Sequence, residues 1–105
     1  ILLTCLRKND FCARYGGEEF AVLLPETGEK EAFLVAEKIR TIVAKRKIYF
    51  EQAVVSITIS IGIAQFNPAG MIDETQLVDA ADKALYQAKR SGRNKSVIFD
   101  YSVWA

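Results

Sequence analysis

The 105-residue sequence contains no histidine. This absence excludes nucleophile pairs and triads that depend on an imidazole, zinc sites with histidine ligands and histidine-based pH switches. Any chemistry that this chain performs must therefore use carboxylates, lysines, arginines and backbone amides.

Cysteines and long apolar runs are also scarce. Cys5 and Cys12 have six residues between them and no second pair, a spacing that fits neither a disulfide framework nor a zinc knuckle. No unbroken apolar run is longer than the five residues Phe20 to Leu24, which is far too short to cross a membrane, and the first residues lack a signal-peptide pattern. We expect a cytoplasmic domain with no direct membrane contact of its own, even where its parent protein is tethered to a membrane.

Net charge is nearly absent as well. The chain has 14 basic and 13 acidic residues, so its formal net charge of +1 gives no long-range attraction for a nucleic acid polymer or an anionic lipid. Half of the residues are hydrophobic and 26% are charged, a balance typical of one globular domain.

Helical and extended patterns alternate along the chain without internal repeats. The two long helical patterns have apolar residues at a helical period, and the clearest strand alternates isoleucine or valine with small residues. The predicted elements are a helix tail at 1–8, strands at 11–15 and 19–24, a helix at 29–47, a strand at 55–63, a helix through 77–88 that ends at Ser91-Gly92, and a strand at 96–101. This order predicts an α/β (α+β) domain.

The connections predict how the strands are arranged. Because strand 19–24 leads into a helix and then into strand 55–63, we expect these two strands to run parallel through a right-handed crossover, in a mixed sheet that helices cover. The ferredoxin-like split βαβ pattern also needs a strand before the first helix, and this chain contains none. We expect a segment without that strand to be poorly stable alone, to be completed by a partner strand, or to belong to a longer polypeptide.

Two glycines and two carboxylates follow one another in Arg14–Phe20. Gly16 and Gly17 allow a tight turn and close approach of the backbone to a ligand, while Glu18 and Glu19 point to opposite faces of a strand. By spacing alone, most such hairpins are turns with solvated charges.

In its Gly-Gly-Glu-Glu-Phe form, however, Gly16–Phe20 resembles the signature of the diguanylate cyclases of the GGDEF family. The resemblance continues in order over nearly the whole chain, through Arg14-Tyr15 and the segments 21–25, 60–64, 81–89 and 91–94. It implies a nucleotidyl-cyclase-like fold, of which residues 1–105 are a single partial domain without the central first strand. The family's second metal-binding aspartate and its guanine-recognising residues lie upstream of this chain.

The resemblance also implies an activity, the condensation of two GTP molecules into cyclic di-GMP by a homodimer with Mg²⁺ or Mn²⁺. Glu18 matches the metal-binding carboxylate that is also assigned as the proton acceptor, and Glu19 matches the next catalytic carboxylate. Gly16 and Gly17 match the turn beside the nucleotide.

Charged residues in three parts of the chain match ligand-binding positions of the family. Lys89 and Arg93 match the pair that contacts the triphosphate, although by position alone they are ordinary helix-end cations. Arg7 and Asp10 match an inhibitory Arg-x-x-Asp site for the cyclic dinucleotide. Lys38 lies near a second product-contacting position, where a solvated surface lysine is an equal alternative.

The sequence is therefore compatible with three functions. The first is a diguanylate cyclase whose segment 1–105 is inactive by itself and whose full-length form carries an upstream sensor domain. The second is a non-enzymatic receptor for cyclic di-GMP, and the third is an inert dimerisation module. The complete Gly-Gly-Glu-Glu-Phe segment favours the enzyme, because a receptor does not need the metal carboxylate.

Overall fold

The computed structural model describes residues 11–14, 20–24, 27–66 and 73–101 of the chain. Both strands and helices occur in these ranges, as the sequence predicts. The elements are β1 (Phe11–Arg14), β2 (Phe20–Leu23), α1 (Glu29–Lys45), β3 (Lys47–Phe50), β4 (Ala53–Ser56), β5 (Ile61–Ile63), α2 (Glu74–Arg90) and β6 (Ser96–Ile98). The predicted helix tail at 1–8 lies outside the described residues.

The strands form three two-stranded sheets within the described ranges. β1 pairs with β2, and β3 with β4, in antiparallel fashion, whereas β5 and β6 are parallel. A parallel pair requires a crossover, which α2 supplies. β2 and β5 share no hydrogen-bonded ladder in the part of the chain that the structure describes, so their parallel direction stays a prediction.

Helix α1 begins and ends with charges that suit the helix dipole. Glu29 and Glu31 lie in its first turn and Lys45 in its last. Its buried face carries Ala36 and Ile39. The helix ends at Lys45 rather than at the predicted Lys47, because Lys47 already pairs with Ser56 in the β3–β4 hairpin.

Helix α2 starts at a complete capping box. The Asp73 side chain accepts a hydrogen bond from the Gln76 amide at 2.8 Å, and the Gln76 side chain accepts one from the Asp73 amide at 3.0 Å. Two backbone donors that the helix cannot satisfy internally are thus paired. Three alanines of the predicted helical apolar pattern, Ala80, Ala84 and Ala88, are fully buried.

The prediction of one continuous strand over 55–63 is wrong. β4 ends at Ser56 and β5 begins at Ile61, with no strand between them. The two halves have different partners, since β4 pairs with β3 through a turn in which Glu51 has a φ of 54°, while β5 pairs with β6. One straight strand cannot serve two separate sheets, so the alternating segment is divided.

The last strand is shorter than the predicted 96–101, because β6 ends at Ile98. The Phe99 amide still donates to the Ile63 carbonyl at 2.7 Å. Phe99 is buried with Ala80 and Ala84, and its ring meets that of Tyr101 edge to face at 5.0 Å. The core therefore lies between α2 and the β5–β6 pair, which α1 also contacts.

Gly62 allows α2 to approach β5 closely. A Cβ atom added at Gly62 would overlap the Ala81 carbonyl oxygen and the Leu85 amide nitrogen, and would lie 2.8 Å from the Leu85 Cα. All of these are backbone atoms, which cannot move aside as the end of a side chain can. The small residues on both elements thus set the distance between helix and sheet.

We expect Gly62→Ala to destabilise the domain by about 3 kcal/mol, because a methyl group inserted there must push α2 off β5. Gly28→Ala is the matched control, since among the described residues a Cβ at Gly28 would have only the Gln65 side-chain nitrogen nearby, at 4.0 Å. Urea unfolding of the two variants measures the difference. Equal stabilities would contradict the close approach.

Candidate functional site

The predicted site residues divide into two groups. Lys38, Lys89 and Arg93 are described by the structure, and all three are exposed. The others, Arg7, Asp10, Gly16, Gly17, Glu18 and Glu19, lie outside the described residues.

The strands on either side of the Gly-Gly-Glu-Glu segment are paired, as the sequence predicts. The ladder runs from Phe11 opposite Leu23 to Arg14 opposite Phe20. Its last pair is thus formed by the residues that flank 15–19 in the sequence. The hairpin framework on which the motif depends is therefore present.

The end of α2 leads directly into the loop that carries Arg93. Lys89 lies in the last helical turn, and the Arg93 amide donates to the Ala88 carbonyl at 2.9 Å, a bond typical of a Schellman-type helix end. The Ser91 amide donates to the Gln87 carbonyl at 3.0 Å. These two backbone bonds cap the C-terminal end of the helix.

Three successive residues of this loop have positive φ angles. The values are 121° for Gly92, 61° for Arg93 and 48° for Asn94. Glycine adopts such angles at little cost, but for each of the other two residues the left-handed conformation costs about 1 kcal/mol. The surrounding structure must therefore hold Arg93 and Asn94 in place.

Contacts from α1 and from the segment before β5 support the loop. The Asn94 amide donates to the Ser60 hydroxyl at 3.1 Å. Arg40 Nη1 donates to Asn94 Oδ1 at 2.9 Å and to the Asn94 carbonyl oxygen at 3.4 Å.

The remaining donors of Arg40 bind Glu37 on the same helix. Nε donates to Glu37 Oε2 at 2.6 Å and Nη2 donates to Oε1 at 2.8 Å, which makes a two-pronged ion pair. The Ser96 hydroxyl donates to the same Oε2 at 2.8 Å. Glu37 thus joins α1 to the start of β6 while it orients Arg40.

The ion pair changes the acidity of both partners. The hydrogen bond from Arg40 holds the pKa of Glu37 below its ordinary value of 4.5, the Ser96 hydroxyl adds to this effect, and partial burial opposes it. The same hydrogen bond raises the pKa of Arg40. Both side chains are largely shielded, with 19% of Arg40 and 30% of Glu37 exposed.

Sequence reasoning did not find Glu37, Arg40 or Asn94 as a group. An acid and a base three residues apart on one helix face indicate an ion pair. Nothing in the sequence indicates the contact with Asn94, because Arg40 and Asn94 are 54 positions apart.

Within the described ranges, no group of three or more cysteine, aspartate or glutamate side chains could hold a metal ion. The carboxylate that the resemblance assigns to the metal, Glu18, lies outside those ranges. Among the described helices, none is long and apolar enough to span a membrane.

Comparison with known proteins matches residues 1–95 to the family model described as diguanylate cyclase, GGDEF domain. The chain belongs to the GGDEF family. This confirms the resemblance seen in the sequence, and β1, β2, Lys89 and Arg93 all lie within the matched GGDEF region.

Named relatives and solved structures agree with this assignment. The chain is 42% identical to diguanylate cyclase A of Treponema denticola over 95 residues, which is 90% of this chain and 25% of that protein. The GGDEF domain of DgcB from Caulobacter crescentus, solved in complex with c-di-GMP, superposes with a TM-score of 0.85 at 32% identity, covering 92% of this chain and 57% of that one.

The active GGEEF domain of a diguanylate cyclase from Vibrio cholerae has a TM-score of 0.84 at 35% identity, with 94% of this chain and 62% of that chain covered. It has the same Gly-Gly-Glu-Glu-Phe form of the motif as Gly16–Phe20. These similarities confirm the nucleotidyl-cyclase-like fold. The chain spans about a quarter of the length of this Treponema denticola relative.

We expect Glu37→Gln to lower the free energy of unfolding at pH 7 by about 1 kcal/mol, because it removes the charge from a shielded hydrogen-bonded pair. Folding lowers the pKa of Glu37. The stabilisation that ionised Glu37 gives to the fold is therefore complete when the pH is above its ordinary pKa of 4.5, and is lost as the pH falls through the lower pKa of the folded state. The difference between wild type and variant should therefore shrink below about pH 4, as measured by thermal unfolding at several pH values.

Asp79→Asn is the matched control. Asp79 pairs with Lys83 at 3.1 Å on α2, but more than half of each side chain is exposed. Exposed pairs contribute little, so this variant should keep wild-type stability at pH 7. A Glu37→Gln effect that stays constant as the pH falls would contradict the assignment.

Proposed function

We propose that the full-length protein is a diguanylate cyclase that condenses two GTP molecules into cyclic di-GMP. The observation that carries the proposal is the complete Gly-Gly-Glu-Glu-Phe motif, which follows β1 and leads into β2 of a matched GGDEF domain. Lys89 and Arg93, at the end of α2, supply two exposed cations for a polyphosphate substrate.

The reaction is attack by a ribose 3′-hydroxyl oxygen on an α-phosphorus, with departure of pyrophosphate. We assign Glu18 to accept the hydroxyl proton and to bind the metal, and Glu19 as the second carboxylate of the motif. Gly16 and Gly17 let the backbone approach the nucleotide, because a residue without a Cβ leaves room beside it. Two such domains in a homodimer each hold one GTP, so that two hydroxyls and two α-phosphates face each other.

Lys89 and Arg93 are assigned to the triphosphate. The C-terminal end of a helix carries partial negative charge, which by itself repels phosphate. Here the Ala88 carbonyl accepts from the Arg93 amide and the Ser91 carbonyl accepts from the Lys95 ammonium, so two of these oxygens are already paired. The arrangement favours binding of an anion by the exposed cations.

We further propose that Mg²⁺ or Mn²⁺ is required. Carboxylate oxygens such as those of Glu18 are ligands that these hard cations prefer. When bound, the cation stabilises the negative charge that develops on the phosphate oxygens. By resemblance, Glu18 is the carboxylate that this chain contributes to the metal.

The full-length protein, incubated with GTP and Mg²⁺, should release cyclic di-GMP and pyrophosphate, measured by chromatography and a coupled pyrophosphate assay. We expect Glu18→Gln to lower kcat at least about 100-fold, since it removes both the proton acceptor and a metal ligand. Glu31→Gln, which changes an exposed carboxylate on α1, should retain wild-type activity. Product formation by Glu18→Gln at the wild-type rate would refute the assignment.

Product inhibition is a second part of the proposal. We assign Arg7 and Asp10 to an inhibitory site for cyclic di-GMP, with Lys38 as a contact from α1. Lys38 is exposed on that helix, as such a contact requires. An arginine binds a phosphate or a guanine edge with two parallel hydrogen bonds, whereas the charge of a lysine is confined to one ammonium group.

Calorimetry should show that cyclic di-GMP binds the full-length protein and that Arg7→Ala weakens this binding at least about 30-fold, because a charged bidentate contact is lost. Lys38→Arg should strengthen the binding, whereas Lys30→Arg, at an exposed position on the same helix, should not change it. Unchanged affinity in Arg7→Ala would exclude the inhibitory site. Binding without any synthesis would favour the alternative of an inactive receptor.

A further inference from the structure

The Arg93–Asn94 segment is held in an unfavourable backbone conformation by groups that lie outside it. Both residues have positive φ angles without being glycine. The Asn94 amide binds Ser60, while the Asn94 side chain and carbonyl both accept from Arg40. The conformation of Arg93 thus depends in part on a residue of α1.

Arg40 can hold the loop in place because its guanidinium donates both to Glu37 on α1 and to Asn94 in the loop. Nε and Nη2 are fixed by Glu37, and Nη1 is then directed at Asn94. The guanidinium is planar, so fixing two of its nitrogen atoms also fixes the direction of the third. Glu37 is in turn held by the Ser96 hydroxyl, which ties the assembly to β6.

Another arginine of the chain makes a different set of contacts. Arg90 Nη1 donates to the Tyr86 hydroxyl at 2.9 Å, and its guanidinium lies 5.5 Å from the centre of the Tyr86 ring. Both partners are on α2, so these contacts join no second element to the loop. Arg40 instead connects two parts of the chain that are distant in sequence.

We propose that Glu37 and Arg40 form a positioning pair that holds the Arg93–Asn94 segment in its left-handed conformation and thereby aims the Arg93 guanidinium at the substrate triphosphate. The inference rests on the role given to Arg93 under the proposed function. Neither Glu37 nor Arg40 needs to touch GTP. Their effect is preorganisation, since a binding group that is already oriented loses less freedom when the ligand arrives.

The test uses the full-length protein with Arg40→Lys, which keeps the charge but cannot bind Glu37 with two prongs and Asn94 at once. Affinity for a non-hydrolysable GTP analogue is measured by calorimetry, and kcat and KM for GTP by product release. We expect analogue affinity to fall and KM to rise about 10-fold, with kcat changing less than about 3-fold. Arg46→Lys, the same exchange at the exposed end of α1, should leave the analogue affinity and KM unchanged.

A double-mutant cycle with Arg93→Ala separates positioning from a general effect on stability. If Arg40 acts through Arg93, Arg40→Lys should weaken analogue binding less than about 2-fold when Arg93 is already alanine. A full 10-fold loss in that background would overturn the proposal. So would a lower melting temperature of Arg40→Lys with unchanged affinity, because that result indicates a merely structural role.

The cycle also distinguishes this inference from the function on which it rests. If Arg93→Ala does not weaken analogue binding, the triphosphate role of Arg93 is wrong and the positioning role is overturned with it. If Arg93→Ala weakens binding but Arg40→Lys does not, only the positioning role is overturned.

Asn94→Gly provides a second variant in case Arg40→Lys does not fold. Glycine still adopts the positive φ angle but lacks the side-chain acceptor for Arg40. It should weaken analogue binding at least about 5-fold if the contact orients Arg93. Wild-type affinity in this variant would overturn the proposal.

Discussion

The close approach of α2 to β5 at Gly62 is the constraint on which the rest of the described fold depends. The helix backbone lies where a side chain at Gly62 would be, and the helix presents only alanines at its most buried positions. Larger residues on either element would separate them. Because α2 is also the crossover between the parallel strands β5 and β6, its position relative to β5 determines where the chain turns back to form β6.

The position of α2 also determines where the loop that follows it begins. It leaves the helix through a backbone cap, passes through three positive φ angles and enters β6 at Ser96. Arg40 and Glu37 on α1 then contact both the loop and the first residue of β6. Two helices and a parallel strand pair therefore converge on the segment that carries Arg93. The loop is short and exposed, yet contacts with several elements fix its conformation.

The sequence predicted the parts of the site that depend on local spacing. Lys89 and Arg93 lie at a helix end because the helical apolar pattern and the Ser91-Gly92 stop place that end. The hairpin strands follow from the apolar segments around two glycines. The contact between Arg40 and Asn94 could not be predicted in this way. It joins residues 54 positions apart, and its geometry depends on how α1 packs against the sheet.

The alternating segment of isoleucines and valines shows the division between sequence and tertiary structure. Sequence by itself determined the extended conformation of much of this segment, the two amphipathic helices and membership of the GGDEF family, since each rests on a local period or an ordered motif. Only the tertiary structure decided that the segment breaks after Ser56, that β5 pairs with β6, and that α1 supports the Arg93 loop. Local periodicity specifies conformation, whereas pairing partners are selected by packing between residues that are distant in the chain.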